Sequence, residues 1–105
     1  MVSTDTLFRA NLVEIASLAA KHALPAIGPK EFAAVGGFMG YSPDRAEVYR
    51  RAAYFVDRIL KGAKPNELPI ERVTRVELVI NAKTAKALGI TSPQSLLLRA
   101  DDVIQ

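Results

Sequence analysis

Chemistry needs particular residue types at particular spacings, and this chain of 105 residues offers few of them. It has one histidine, His22, and no cysteine. A lone imidazole without an HxxxH or HExxH partner gives no transition-metal site, and without a thiol there is no cysteine nucleophile or thiolate zinc site. His22 stands where a helix is expected to end, so interaction with terminal carbonyls is the role its position favours. Gly36-Gly37-Phe38-Met39-Gly40 is glycine-rich but fits neither GxGxxG nor GxxxxGK(S/T). Its glycines are expected to serve a turn and close strand packing rather than a phosphate. Asp101-Asp102 is expected to be a solvated pair of surface acids. Tyr41-Ser42-Pro43-Asp44 is the stretch best suited to holding a small molecule. A strand ending in an aromatic and passing into a capped helix sets a ring, a hydroxyl and free backbone N–H groups at the carboxyl edge of a sheet. Taken alone, these residues favour simple capping. No catalytic constellation is expected, and no metal or cofactor.

The elements that must position these residues alternate in type. Phe8, Leu12, Ile15, Ala16 and Ala19 make one helical stripe, with Thr4 or Asp5 as its cap and His22 and Pro25 ending it. Leu24-Pro25-Ala26-Ile27 suits a brief buried strand, Gly28-Pro29 a turn, and Lys30 to Val35 one or two helical turns. Phe38-Met39-Gly40-Tyr41 suits a second strand. The clearest helix is 42–62, with Ser42 as N-cap, Pro43 in the first position, Asp44 favouring the dipole and Gly62 as left-handed terminus. Val48, Ala52, Phe55, Val56 and Ile59 form its apolar stripe, while Glu47 with Arg51 and Asp57 with Lys61 stand at pairing distance. Tyr49, Tyr54 and Phe55 read as helix packing. Residues 63–71 carry two prolines and suit an extended connector, an edge strand at most. In VELVINAKTAKALGI, a strand over 75–80 passes through Asn81, as N-cap, into a helix from Ala82 to Leu88 closed by Gly89. Ser92-Pro93 then opens a helix over 93–99, and Asp102-Val103-Ile104 a short terminal strand. Strands alternating with helices predict an α/β layer architecture.

Half of the residues are apolar and 24% are charged, a globular composition far from that of disordered chains. The formal charge of +3 comes from 14 lysines and arginines spread among 11 acids. The longest basic run is Arg50-Arg51, so the charge predicts a solvated surface and no nucleic-acid partner. The amino-terminal segment has no basic region ahead of an apolar core, and Asp5, Arg9, Asn11 and Glu14 interrupt its apolar residues. It reads as neither an export signal nor a membrane span, so no direct membrane insertion is expected and the chain as written would be cytoplasmic.

The ordered series YRRAAYFVDRILKGAKPNELPIERVTRVELVINAKTAKALGI, followed by SPQSLLLRADDVI, resembles the carboxyl-terminal part of the ABC-transporter substrate-binding proteins, in the branch that includes binders of aromatic amino acids. LAAKHALPAIGPKEFAAVGGFMGYSPD is similar to the stretch that precedes it there, so the likeness runs over about residues 9–105. The resemblance implies a type I periplasmic binding-protein fold: helices packed on small, mostly parallel sheets in two α/β lobes, with a small solute between them. The region up to Tyr41 would belong to the second lobe, helix 43–62 would cross to the first, and strand 75–80 would return. It implies one truncated domain over 1–105, from a family that is periplasmic. The implied solute is a small organic molecule such as an amino acid, held at Gly28, Tyr41, Ser42 and Asp44 by ring stacking, hydroxyl bonding and a carboxylate for a cationic amino group. Gly28 stands where the family commonly has an aromatic after PAI. A missing first lobe would leave the stripe of helix 43–62 and a sheet edge open, implying a homodimer or a complementing first-lobe chain. An interaction module that keeps the fold without binding solute is the alternative.

Overall fold

Asp5 starts the first helix, α1 (Thr6–Ala10), its carboxylate accepting the Leu7 N–H at 2.9 Å. The stripe expected to continue is broken at Asn11, whose side chain donates to the Leu7 carbonyl at 2.9 Å and whose φ of −120° leaves the helical region. α2 (Leu12–Lys21) therefore begins a new helix, and Leu12 and Ala16 are its buried residues. It ends at His22 as C-cap. The Ala23 N–H then donates to the Ala20 carbonyl and the Leu24 N–H to the Ala19 carbonyl, a Schellman closure with Ala23 at φ +52°.

The structure is a computed structural model describing residues 1–72 and 75–105, and its chain divides into two compact units, Met1–Ser42 with Glu77–Gln105, and Pro43–Val76. The first unit is built on a four-stranded sheet in the order β1 (Ile27–Gly28), β2 (Met39–Pro43), β3 (Val76–Asn81), β4 (Asp102–Ile104). β1 and β2 are parallel, with Gly28 opposite Gly40, and so are β3 and β4, with Ile80 opposite Val103. The Asn81 N–H donates to the Phe38 carbonyl at 2.9 Å, so the end of β3 lies beside the start of β2 and this middle pair is antiparallel. α3 (Lys30–Ala34) links β1 to β2, and α5 (Ala82–Ala87) with α6 (Gln94–Arg99) links β3 to β4. The α/β architecture with a mostly parallel sheet is thus present.

Three glycines let α3 lie close to this sheet. A Cβ on Gly37 would stand 2.2 Å from the Phe32 ring and one on Gly28 3.0 Å from it, while a Cβ on Gly40 would meet the Lys30 backbone at 2.7 Å. Phe32, fully buried, joins Leu12 and Ala16 in a cluster edged by Val2, Ile15 and Ala26. β3 does not show one buried face and one wet one. Burial deepens along it, from exposed Val76 to buried Val79, Ile80 and Asn81, because only its carboxyl end is covered on both sides.

Asn81 is what lets a strand become a helix with no intervening loop. Its Oδ1 accepts the Thr84 N–H at 3.0 Å, capping α5, and its Nδ2 donates to the Ala33 carbonyl at 2.8 Å at the free end of α3. Gly89, at φ +72°, closes α5 by the same motif that ends α2.

In the second unit, α4 spans Arg45–Leu60, a 16-residue helix ended by Gly62 at φ +106°. Its N-cap is Asp44, not Ser42: the Asp44 carboxylate accepts the Ala46 N–H at 3.0 Å, while β2 continues through Ser42 to Pro43. The connector that follows contains one 3-10 turn, Pro65–Glu67, where an edge strand was the most expected. No residue of α4 is buried.

Candidate functional site

Alternation along β2 decides what its residues can offer. Gly40 and Ser42 are buried, whereas Tyr41 between them is 56% exposed, so the phenol ring and the serine hydroxyl stand on opposite faces of the strand. Ser42 Oγ accepts the Lys30 N–H at 3.1 Å, supplying from another strand the cap that Pro29 cannot give the first turn of α3. Gly28 sits directly before that turn, its space limited by the Phe32 ring. The structure therefore brings Gly28 and Ser42 together around the start of α3 and leaves Tyr41 open on the other face of β2. Asp44 lies in the second unit, where its Oδ1 is engaged at the start of α4.

Two charged contacts were not legible in the sequence. Lys30 Nζ meets Glu77 Oε2 at 2.7 Å in the first unit, with the Glu77 side chain mostly covered. The pair joins residues 47 apart, beyond any periodicity argument. In the second unit Arg51 grips Glu71 in two bonds, Nε to Oε2 at 2.8 Å and Nη2 to Oε1. Its guanidinium also lies 4.3 Å from the Tyr54 ring centroid and 5.5 Å from that of Phe55. The hydrogen bonds from Arg51, then its charge, hold the Glu71 carboxyl below its ordinary range, and the same bond raises Arg51. Glu47, which spacing placed with Arg51, pairs instead with Arg50, whereas Asp57 and Lys61 pair as expected at 3.2 Å.

Asp101, expected to be merely solvated, accepts the Leu78 N–H at 2.8 Å and extends the β3–β4 ladder by its side chain. Among the described residues no group of three or more His, Asp or Glu is placed to hold a metal ion, and no helix is long and apolar enough to cross a membrane. The first unit thus offers an exposed aromatic on the open face of β2, and each unit holds its own paired charges.

Solved structures repeat this fold. A conserved domain protein from Vibrio cholerae O1 biovar El Tor matches with a TM-score of 0.89 at 25% identity, covering 97% of this chain and 35% of that one. An ABC domain in complex with L-Trp from Streptococcus pneumoniae matches with a TM-score of 0.84 at 28% identity over 96% of this chain and 35% of its own. The ligand-free, open structure of a substrate binding protein with adhesive properties from Clostridium difficile shares the fold, with a TM-score of 0.62 at 17% identity, over 98% of this chain and 35% of that one. The chain thus spans about a third of the length of each. No curated protein matches it. A family model described as ABC transporter substrate binding protein matches residues 1–104, and the chain belongs to that family.

Proposed function

We propose that this chain is the carboxyl-terminal portion of a solute-binding component of an ABC transporter, taking a small organic solute such as an amino acid and carrying out no catalysis. The observation that carries this reading is the Streptococcus pneumoniae relative in complex with L-Trp, aligned over 96% of the chain. Tyr41 supports it in the first unit: a ring left 56% exposed on the open face of β2 is suited to stacking on an aromatic or flat solute. Gly28, closed over by the Phe32 ring, and Ser42, bonded to the Lys30 N–H, would act by holding the backbone beside Tyr41 rather than by touching the solute. Asp44, in the second unit, is the candidate for a cationic amino group.

The test is an NMR amide-shift titration of the chain with a panel of amino acids, L-tryptophan included. Saturable shifts at residue 28 and residues 38–44 are expected, with Tyr41→Ala weakening the affinity roughly tenfold, the loss of one stacking contact. A well-folded Tyr41→Ala variant that binds as tightly as the wild type removes Tyr41 from the site. A silent panel on folded protein removes the solute-binding reading for this chain on its own.

A second reading is favoured by α4, a 16-residue amphipathic helix with no buried residue. In it the chain is an interaction module whose α4 stripe is covered by a second copy or by a complementing first-lobe chain.

A further inference from the structure

Tyr41 lies one residue past the register of β2 with β1, which ends at Gly28 opposite Gly40. From there on Lys30, the first residue of α3, touches β2 on both sides of Tyr41. Its N–H donates to Ser42 Oγ at 3.1 Å, and its Cα and carbonyl occupy the space a Cβ on Gly40 would need, 2.7 Å away. A third contact reaches the neighbouring strand, where Lys30 Nζ meets Glu77 Oε2 at 2.7 Å. With 15% of the Glu77 side chain exposed, this pair is screened less than the open pairs of α4. Ser42 and Glu77 are also the residues at which the chain leaves the first unit and re-enters it. One residue thus ties together the two strand ends that the sequence carries out of this unit.

Successive residues of a strand point to opposite faces, so the contacts at Gly40 and Ser42 lie on the side of β2 away from the Tyr41 ring. Lys30 acts on anything stacked on that ring only through the backbone at 40–42, which sets where the Cα–Cβ bond of Tyr41 points. We propose that Lys30, with Glu77, is a positioning residue for the solute site: it fixes the backbone that carries the Tyr41 ring and so sets solute affinity without touching the solute. The inference rests on the reading of Tyr41 as the stacking residue.

The experiment is an NMR titration of the whole chain with L-tryptophan, for the wild type, Lys30→Met, Lys30→Arg and Glu77→Gln, each with Tyr41 intact and with Tyr41→Ala. Lys30→Met keeps the N–H bonded to Ser42 and the apolar stem, and removes only the ammonium. Lys30→Met and Glu77→Gln are each expected to weaken binding roughly threefold while Tyr41 is present and to change it little once Tyr41 is alanine, as for groups that act through one another. Lys30→Arg keeps a cation for Glu77 and should bind within about twofold of the wild type. Without solute, the amide order parameters of residues 40–42 should fall in Lys30→Met from a rigid value of about 0.85, while those of Leu12 and Ala16 hold. Where L-tryptophan binds, the proposal is overturned if Lys30→Met binds like the wild type, if it loses the same factor with and without Tyr41, as a general loosening of the fold would, or if Lys30→Arg is as weak as Lys30→Met. If L-tryptophan gives no saturable shifts with any form, the solute reading fails for that probe and the order parameters decide. A fall confined to residues 40–42 then upholds the positioning role, and unchanged values overturn it.

Discussion

Ala23 holds φ at +52°, the left-handed position of the Schellman closure of α2, where glycine is the usual occupant. An L-residue there costs about 1–2 kcal/mol, and glycine would return about 0.5–1 kcal/mol of that through its larger unfolded-chain entropy. Ala23→Gly is therefore expected to stabilise the chain by about 0.5–1 kcal/mol and to raise the thermal midpoint by roughly 2–6 °C. A midpoint that stays put or falls would show that the closure carries no such strain. Residue-scale features of this kind were legible only where their partner is close in sequence. Asn81 as the cap of α5 follows from VELVIN running into AKTAKALG, because the bond to Thr84 spans one helical turn. Its second bond, to Ala33, does not follow, because it joins residues 48 apart. Ser42 misled for the same reason: beside Pro43 it has the composition of a cap for α4, but the N–H it serves belongs to Lys30, 12 residues earlier and in another element. Of the candidate site, the exposure of Tyr41 is what strand alternation makes readable.

At the scale of elements, hydrophobic period and cap chemistry located α4, β3, α5 and β4 to within a few residues, because each is a local property of the chain. The misplaced ion pair on α4 marks where locality ends. Spacing within the helix assigns Arg51 to Glu47, yet the returning chain presents Glu71, which accepts two bonds from the guanidinium. This clasp is open to a pH test. The folded-state pKa of Glu71 is lowered by its bonds with Arg51, so the pair's contribution is present above the ordinary glutamate pKa and fades as pH falls through the lowered value. Arg51 is raised from a value already far above working pH, so it adds no dependence in the accessible range. Acidification from about pH 6 to roughly pH 3 is expected to speed amide exchange in residues 45–60, after correction for intrinsic rates. Glu71→Gln should flatten that response. An acid response that survives unchanged in the variant would assign it to other carboxylates.

Across the whole molecule, burial is unequal. Every buried hydrophobic side chain among the described residues lies in the first unit: Leu12, Ala16, Phe32, Ala33, Val79, Ile80 and Ala85. The second unit has surface clasps and an apolar stripe but no buried residue of α4. Amides of α3, β3 and α5 should therefore exchange only by global unfolding, whereas those of α4 should open locally at much lower cost. That order holds for the chain by itself, and it separates the two functional readings through concentration. If a second copy covers the stripe of Val48, Ala52, Phe55, Val56 and Ile59, association protects α4 by mass action, and its exchange slows as protein concentration rises while that of Phe32 or Ile80 changes less. If the chain works as a solute-binding unit without self-association, α4 exchange is independent of concentration, sedimentation reports a monomer, and the amides near Tyr41 respond to solute. Strong protection of α4 in a monomer at every dilution would contradict both, because it would require a cover for the helix within the chain, where none of its residues is buried.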